Sequence, residues 1–289
     1  MSARRSPVLI ALILLLSAVM EASEKTKGQL GTNEMPMEVY DGYLIVVDGS
    51  IGNLYGLKFL LDTGATTSAI DRRLADKLEL SGRPTKLTNF DKTLRLEWCE
   101  VPQLSYGPEH PSNVKVVVED LRYFRASGIR VDAVIGWDLL RRQSFRLDFA
   151  RKRIVFGVTE SHESKAVPLR MGALCLTVQV DLDGRPLWMI ADTGMRGTTF
   201  YEGWLEQMRQ GYSVKSRTMG RSVAGAVEFR VALVPRLQLG SQDLDREVYL
   251  VHQSQSESLL GIAGYLGIAA LQAKEVTFDF ERSELTWTK

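Results

Sequence analysis

The chain has little of what metal and disulfide chemistry need. Of 289 residues two are cysteine, Cys99 and Cys175, and three are histidine, His110, His162 and His252. Two thiols cannot build a disulfide framework or a Cys-rich zinc site, and no two histidines share a metal-ligand spacing. Both cysteines fall in strand-like segments, so they read as buried free thiols, with a bridge as the alternative. Charge of one sign is also missing. With 36 basic and 35 acidic side chains the net charge is +1, too little to gather nucleic acid electrostatically. The Gly-x-Ser-x-Gly elbow, the His-Glu-x-x-His helix and the phosphate-binding Gly-Lys-Ser/Thr loop are absent from the sequence. Residues 261–267, GIAGYLG, are glycine-rich but lack the dinucleotide fingerprint spacing. No cofactor or metal is expected.

A single long apolar run is present. Residues 7–20 are almost all apolar, follow Arg4 and Arg5, and precede Glu21, Glu24, Lys25 and Lys27. This is a secretory signal pattern, short for a span, which needs ~20 residues. A cut after Ala22 would put Met20 where a small residue is preferred, so an uncleaved anchor is the alternative. Either way the body is expected outside the cytoplasm: secreted, periplasmic, or held to a membrane only if this segment stays on.

The body is one pattern written twice. Residues 59–71, FLLDTGATTSAID, and 187–201, LWMIADTGMRGTTFY, each place Asp-Thr-Gly directly after an apolar run. Residues 133–156 align without a gap on 264–287, so that Gly136, Leu140, Asp148, Phe149 and Arg151 meet Gly267, Leu271, Asp279, Phe280 and Arg282. The two shifts, 130 and 131 residues, agree, and two homologous lobes are the simplest account.

Each copy repeats one order of elements. Residues 43–47 are β-prone, 49–56 are glycine-rich and turn the chain, and 57–61 run into Asp62. In the second copy 174–180 lead to Asp183-Gly184, a strong hairpin-turn dipeptide, and 187–191 run into Asp192. Ile70, Leu74 and Leu78 before Gly82, and Tyr201, Leu205 and Met208 before Gly211, predict short amphipathic helices stopped by glycine. Phe145, Leu147 and Phe149, and likewise Val276, Phe278 and Phe280, alternate with polar residues as half-buried strands do. The expected segments are a signal or anchor at 1–22, a flexible leader at 23–37, lobes at 38–158 and 169–289, and a linker at 159–168.

One Asp-Thr-Gly would arise by chance in roughly 0.05 of chains this long. Two, at equivalent places in a repeat, each followed some seventy residues later by an apolar pair and glycine, are harder to dismiss as turn formers after strands. The chain resembles the aspartic protease family in a two-lobed form whose lobes each resemble a retropepsin-type subunit. The resemblance covers about residues 38–289 and is most specific at LLDTGAT (60–66) and IADTG (190–194). Val134-Ile135-Gly136 and Tyr265-Leu266-Gly267 match the apolar-apolar-glycine segment that lies beside the active-site loop in that family.

The resemblance implies an all-β, pseudo-twofold fold with short helices and one catalytic aspartate per lobe, Asp62 and Asp192, meeting in a central cleft. Thr63 and Thr193 would tie the two loops together, and Gly64, Ala65 and Gly194 would let backbone approach the carboxylates. Two carboxylates so close share one proton, and an activated water attacks the peptide carbonyl of a peptide or protein substrate. Lobe two departs from the pattern, placing Met195 and Arg196 after Gly194 where a small residue is usual. Either they act on the aspartates or Arg196 points to solvent while Met195 packs in the lobe. Candidate flaps are residues 88–96 and 220–226, with plain surface hairpins as the alternative. The active species is expected to be a monomer. The alternatives are a homodimer that pairs Asp62 of two chains across a degenerate second lobe, and a non-catalytic cell-envelope peptide-binding protein.

Overall fold

The computed structural model describes residues 33–89, 92–157, 165–207, 211–222, 225–252 and 261–289. The N-terminal signal or anchor segment lies outside them, as does most of the expected linker.

The fold is mostly β, as two lobes built alike. The first lobe contributes β1 (Glu34–Tyr40), β2 (Leu44–Ile51), β3 (Leu54–Leu61), β4 (Ala69–Asp71), β5 (Arg83–Asn89), β6 (Lys92–Ser105), β7 (Ser112–Glu119), β8 (Ala133–Ile135), β9 (Phe145–Asp148) and β10 (Arg153–Phe156). The second contributes β11 (Lys165–Met171), β12 (Leu176–Leu182), β13 (Arg185–Asp192), β14 (Thr198–Tyr201), β15 (Ser213–Ser222), β16 (Gly225–Leu233), β17 (Leu237–Leu239), β18 (Gln242–Asp243), β19 (Glu247–Val251), β20 (Gly264–Gly267), β21 (Glu275–Asp279) and β22 (Glu284–Thr288).

Both inner hairpins end at an aspartate. β2 and β3 pair antiparallel, as do β12 and β13, whose alternating apolar side chains bury one face. Asp183 and Gly184 adopt φ 52° and 82°, the left-handed pair that a two-residue turn matched to strand twist requires. In the first lobe the glycine-rich stretch turns the chain less than its composition suggests. Most of residues 49–56 are strand, with a bulge between Gly49 and Ile51 and the turn confined to Gly52 and Asn53.

The expected helices are shorter than their apolar spacing implies. They run Arg72–Lys77 and Glu202–Gln207. Ile70 and Tyr201 are strand residues instead, because β4 and β14 pair in parallel with β7 and β19. A four-residue apolar spacing cannot tell a helix from a short strand that runs into one. Asp71 caps the first helix, its side chain accepting from the Arg73 N–H. Met208 lies outside the described residues.

Strands of the two lobes meet in one antiparallel sheet, ordered β11, β22, β21, β9, β10, β1. At its centre Leu147 faces Val276, Arg146 faces Thr277 and Phe145 faces Phe278. Since 146 and 277 are equivalent in the repeat, the pseudo-twofold axis passes through that pair. The rings of Phe145 and Phe278 stack with centroids 4.7 Å apart, and the core runs on through both lobes. β1 and β11 each serve two sheets, pairing first here and then with β2 or β12. Of the expected leader, residues 34–37 belong to β1, and residues 23–32 lie outside the described residues. Likewise residues 165–168 of the expected linker are paired in β11.

Candidate active site

Each Asp-Thr-Gly leaves its hairpin where a parallel strand ends beside it. β3 pairs in parallel with β8 through Leu60↔Val134 and Leu61↔Ile135, and β13 pairs with β20 through Ile190↔Tyr265 and Asp192↔Gly267. The glycine closing each apolar-apolar-glycine segment lies against the aspartate loop. A Cβ on Gly136 would come 2.8 Å from the Ala65 carbonyl oxygen, and one on Gly267 would come 2.4 Å from that of Met195. No side chain fits there, so glycine is required by close approach.

Across the axis the loops hold each other by matched hydrogen bonds. The Thr63 N–H donates to Thr193 Oγ1 and the Thr193 N–H to Thr63 Oγ1, both at 3.0 Å. Thr63 Oγ1 donates to the Ala191 carbonyl at 2.7 Å, and Thr193 Oγ1 donates to the Leu61 carbonyl at 2.8 Å. Both threonines are buried, where such bonds escape competition from water.

This crossing brings the carboxyls of Asp62 and Asp192 into hydrogen-bond contact. It also places each glycine against the opposite aspartate. A Cβ on Gly64 would lie 2.4 Å from Asp192 Cγ, and one on Gly194 would lie 2.7 Å from Asp62 Cγ. Asp62 Oδ1 accepts from the N–H groups of Gly64 at 2.9 Å and Ala65 at 3.1 Å, while Asp192 Oδ1 accepts from Gly194 at 2.6 Å.

Burial pushes both carboxyls above the ordinary range. Asp192 is raised well above it, because the neighbouring Asp62 charge adds to burial. Asp62 is held back by the Gly64 and Ala65 amides and by accepting from Asp192. Both shifts favour a proton kept between the two carboxyls, the rise being the greater at Asp192.

The pair lies in a cleft of about 490 Å³ lined by both lobes. Leu44, Leu60, Tyr123, Phe124 and Ile129 form one wall, and Ile190, Met195, Tyr201, Phe229, Ile262 and Tyr265 form the other. Both candidate flaps are hairpins, β5 with β6 and β15 with β16. Leu87 of the first and Phe229 of the second line the cleft, while residues 90–91 and 223–224 at the tips lie outside the described residues. Trp98 does not line it. Its ring lies under the cations of Arg83 and Lys115.

Arg196 is exposed and its charge reaches Tyr43 of the cleft, whereas half-buried Met195 packs near Tyr201 and Val251. Cys99 and Cys175 are both free, and burial raises both thiols, so neither is an activated nucleophile.

Sequence reasoning passed over Glu119, which lines the cleft at the end of β7. Glu119 closes a valine-rich strand at a place where strand pairing puts Val251 in the second lobe.

No curated protein is significantly similar to the chain. A family model described as aspartyl protease matches it twice, over residues 47–139 and 178–263, once in each lobe. With both aspartate loops inside those two regions, the chain belongs to the aspartyl protease family.

Proposed function

We propose that the protein is an aspartic endopeptidase in which one chain supplies both catalytic aspartates, Asp62 and Asp192. The observation that carries this reading is the contact of Asp62 and Asp192, whose carboxyls are both raised, in a cleft lined by both lobes.

In this reading Asp192, the more strongly raised of the two, holds the shared proton. Ionised Asp62 takes a proton from a water bound between the carboxyls as that water attacks the peptide carbonyl carbon. Asp192 hydrogen-bonds to the carbonyl oxygen and gives up its proton as the tetrahedral species forms. Asp62 then gives its proton to the amide nitrogen while Asp192 takes one back from a hydroxyl of the tetrahedral species, so that the C–N bond breaks, the carboxylic acid forms and the pair again holds one proton. Because the two groups titrate together, activity falls on the acid side when Asp62 is protonated and on the alkaline side when the shared proton leaves. The charged and then apolar N-terminus supports an extracytoplasmic setting.

Incubating the purified chain with a diverse peptide library at several pH values tests the reading. We expect cleavage by a species of monomer size and loss of at least ~10³-fold in kcat for Asp62→Asn and for Asp192→Asn. Full activity in Asp192→Asn would refute the paired mechanism, and activity confined to dimers would favour Asp62 acting across two chains.

A further inference from the structure

Buried carboxylates in this fold come with a partner. Asp71 meets Arg73, Asp132 meets Arg130, Asp148 meets Arg151, Glu202 meets Arg230 and Asp279 meets Arg282. Asp192 has Asp62.

Glu119 is the exception among the described residues. It is 7% exposed, its Oε2 is buried without a hydrogen-bond partner, and no basic side chain pairs with it. An unpaired carboxyl in apolar surroundings is costly, and a fold with no use for it would do better with a hydrocarbon of similar size. The second lobe has one. β7 pairs with β4 through Asp71↔Glu119, and β19 pairs with β14 through Tyr201↔Val251, so Val251 holds the equivalent place.

The surroundings of Glu119 describe a ligand. It lines the active cleft with Leu44, Leu60, Tyr123, Phe124 and Ile129, near enough to Asp62 to feel its charge. The rings of Tyr123 and Phe124 lie 4.3 Å apart at a 33° tilt, offering an aromatic wall. Apolar walls would cover a methylene stem, and the buried carboxylate would meet a cation at its end.

We propose that Glu119 forms the base of a substrate side-chain subsite on the first lobe, selecting lysine or arginine beside the cleaved bond. This rests on the peptidase reading above. Binding the cation supplies the missing counter-charge, so Glu119 ionises when substrate arrives. The carboxylate is already in place and only the substrate side chain must be ordered, which favours selectivity. The equivalent place on the second lobe is apolar, so the selectivity is one-sided.

The test uses the full chain and peptides differing only in lysine or norleucine beside the cleaved bond. The ratio of their kcat/KM values should favour lysine by roughly 10–100-fold, the range expected of a buried charge-assisted bond. It should fall to near unity in Glu119→Gln and, should that variant fold poorly, in Glu119→Val, which copies the second lobe. Cleavage with no basic preference, or a preference that survives both substitutions, overturns the subsite and leaves the peptidase reading standing. If the wild-type chain cuts nothing, the peptidase reading fails, and calorimetric binding of the same peptides decides the subsite. Tighter lysine binding that depends on Glu119 upholds it, and equal or absent binding overturns it.

Discussion

The two lobes match at the loops that carry the aspartates and differ along the walls beside them. At the axis Thr63 bonds Thr193, and Gly64 and Gly194 each lie against the opposite aspartate. Away from it the equivalent positions differ, Leu44 being matched by Cys175, Ala65 by Met195 and Glu119 by Val251. The physical reason is that Thr63 and Thr193 each complete the other's hydrogen bonds, so a change on one side removes bonds made by the other. A residue facing the cleft answers only to what enters it.

The comparison breaks most easily at the glycines. Gly64→Ala and Gly194→Ala should each lower kcat by at least ~10²-fold, because a methyl group must displace the opposite carboxyl by about an ångström. Steady-state kinetics on a cleaved peptide measures it. A silent alanine on one side alone would show that the loops are not equivalent.

The threonines come next. Thr63→Val removes the bonds to the Ala191 carbonyl and the Thr193 N–H, and Thr193→Val removes those to the Leu61 carbonyl and the Thr63 N–H. At 1–3 kcal/mol for each buried group that loses its bond, each variant should lose about 4 kcal/mol of stability in denaturant titration. Unequal losses would locate a difference that the hydrogen bonds do not display.

Glu119 sharpens the contrast through pH. Burial, with the Asp62 charge added, raises its carboxyl from an ordinary 4.5 to about 7. The folded chain therefore holds a proton that the unfolded chain releases between those values. This contribution to stability is complete below about 4.5 and is lost as pH rises through about 7. Glu119→Gln should flatten that fall by on the order of 3 kcal/mol, read as Tm against pH. An unchanged slope would mean that Glu119 titrates normally. The smallest effect is expected at Arg196, where alanine should change kcat/KM by less than about twofold. A larger loss would tie the exposed guanidinium to substrate.

Much of this was legible because repetition is a strong signal. The doubled Asp-Thr-Gly, the paired glycines at 136 and 267 and the alternation around Phe145 and Val276 each predict their place in the fold. Local spacing served less well. Ile70 and Tyr201 read as helical because a short strand running into a helix keeps the apolar rhythm, and only pairing with β7 and β19 decides the matter. Glycines at 49 and 56 suggested a long turn, but pairing with β3 outweighed composition. Glu119 went unread for a different reason. A charge at a strand end is ordinary on a surface, and only tertiary packing reveals that this one is enclosed.

The sheet that joins the lobes has a consequence for the integrity of the particle. Each lobe lends its closing strands to a shared β-ladder, with β9 hydrogen-bonded to β21 and aromatic rings stacked across the seam. Severing the backbone between Phe156 and Lys165 would leave two polypeptides with no covalent tie that still co-migrate, because the seam and not the connecting peptide holds the halves in register.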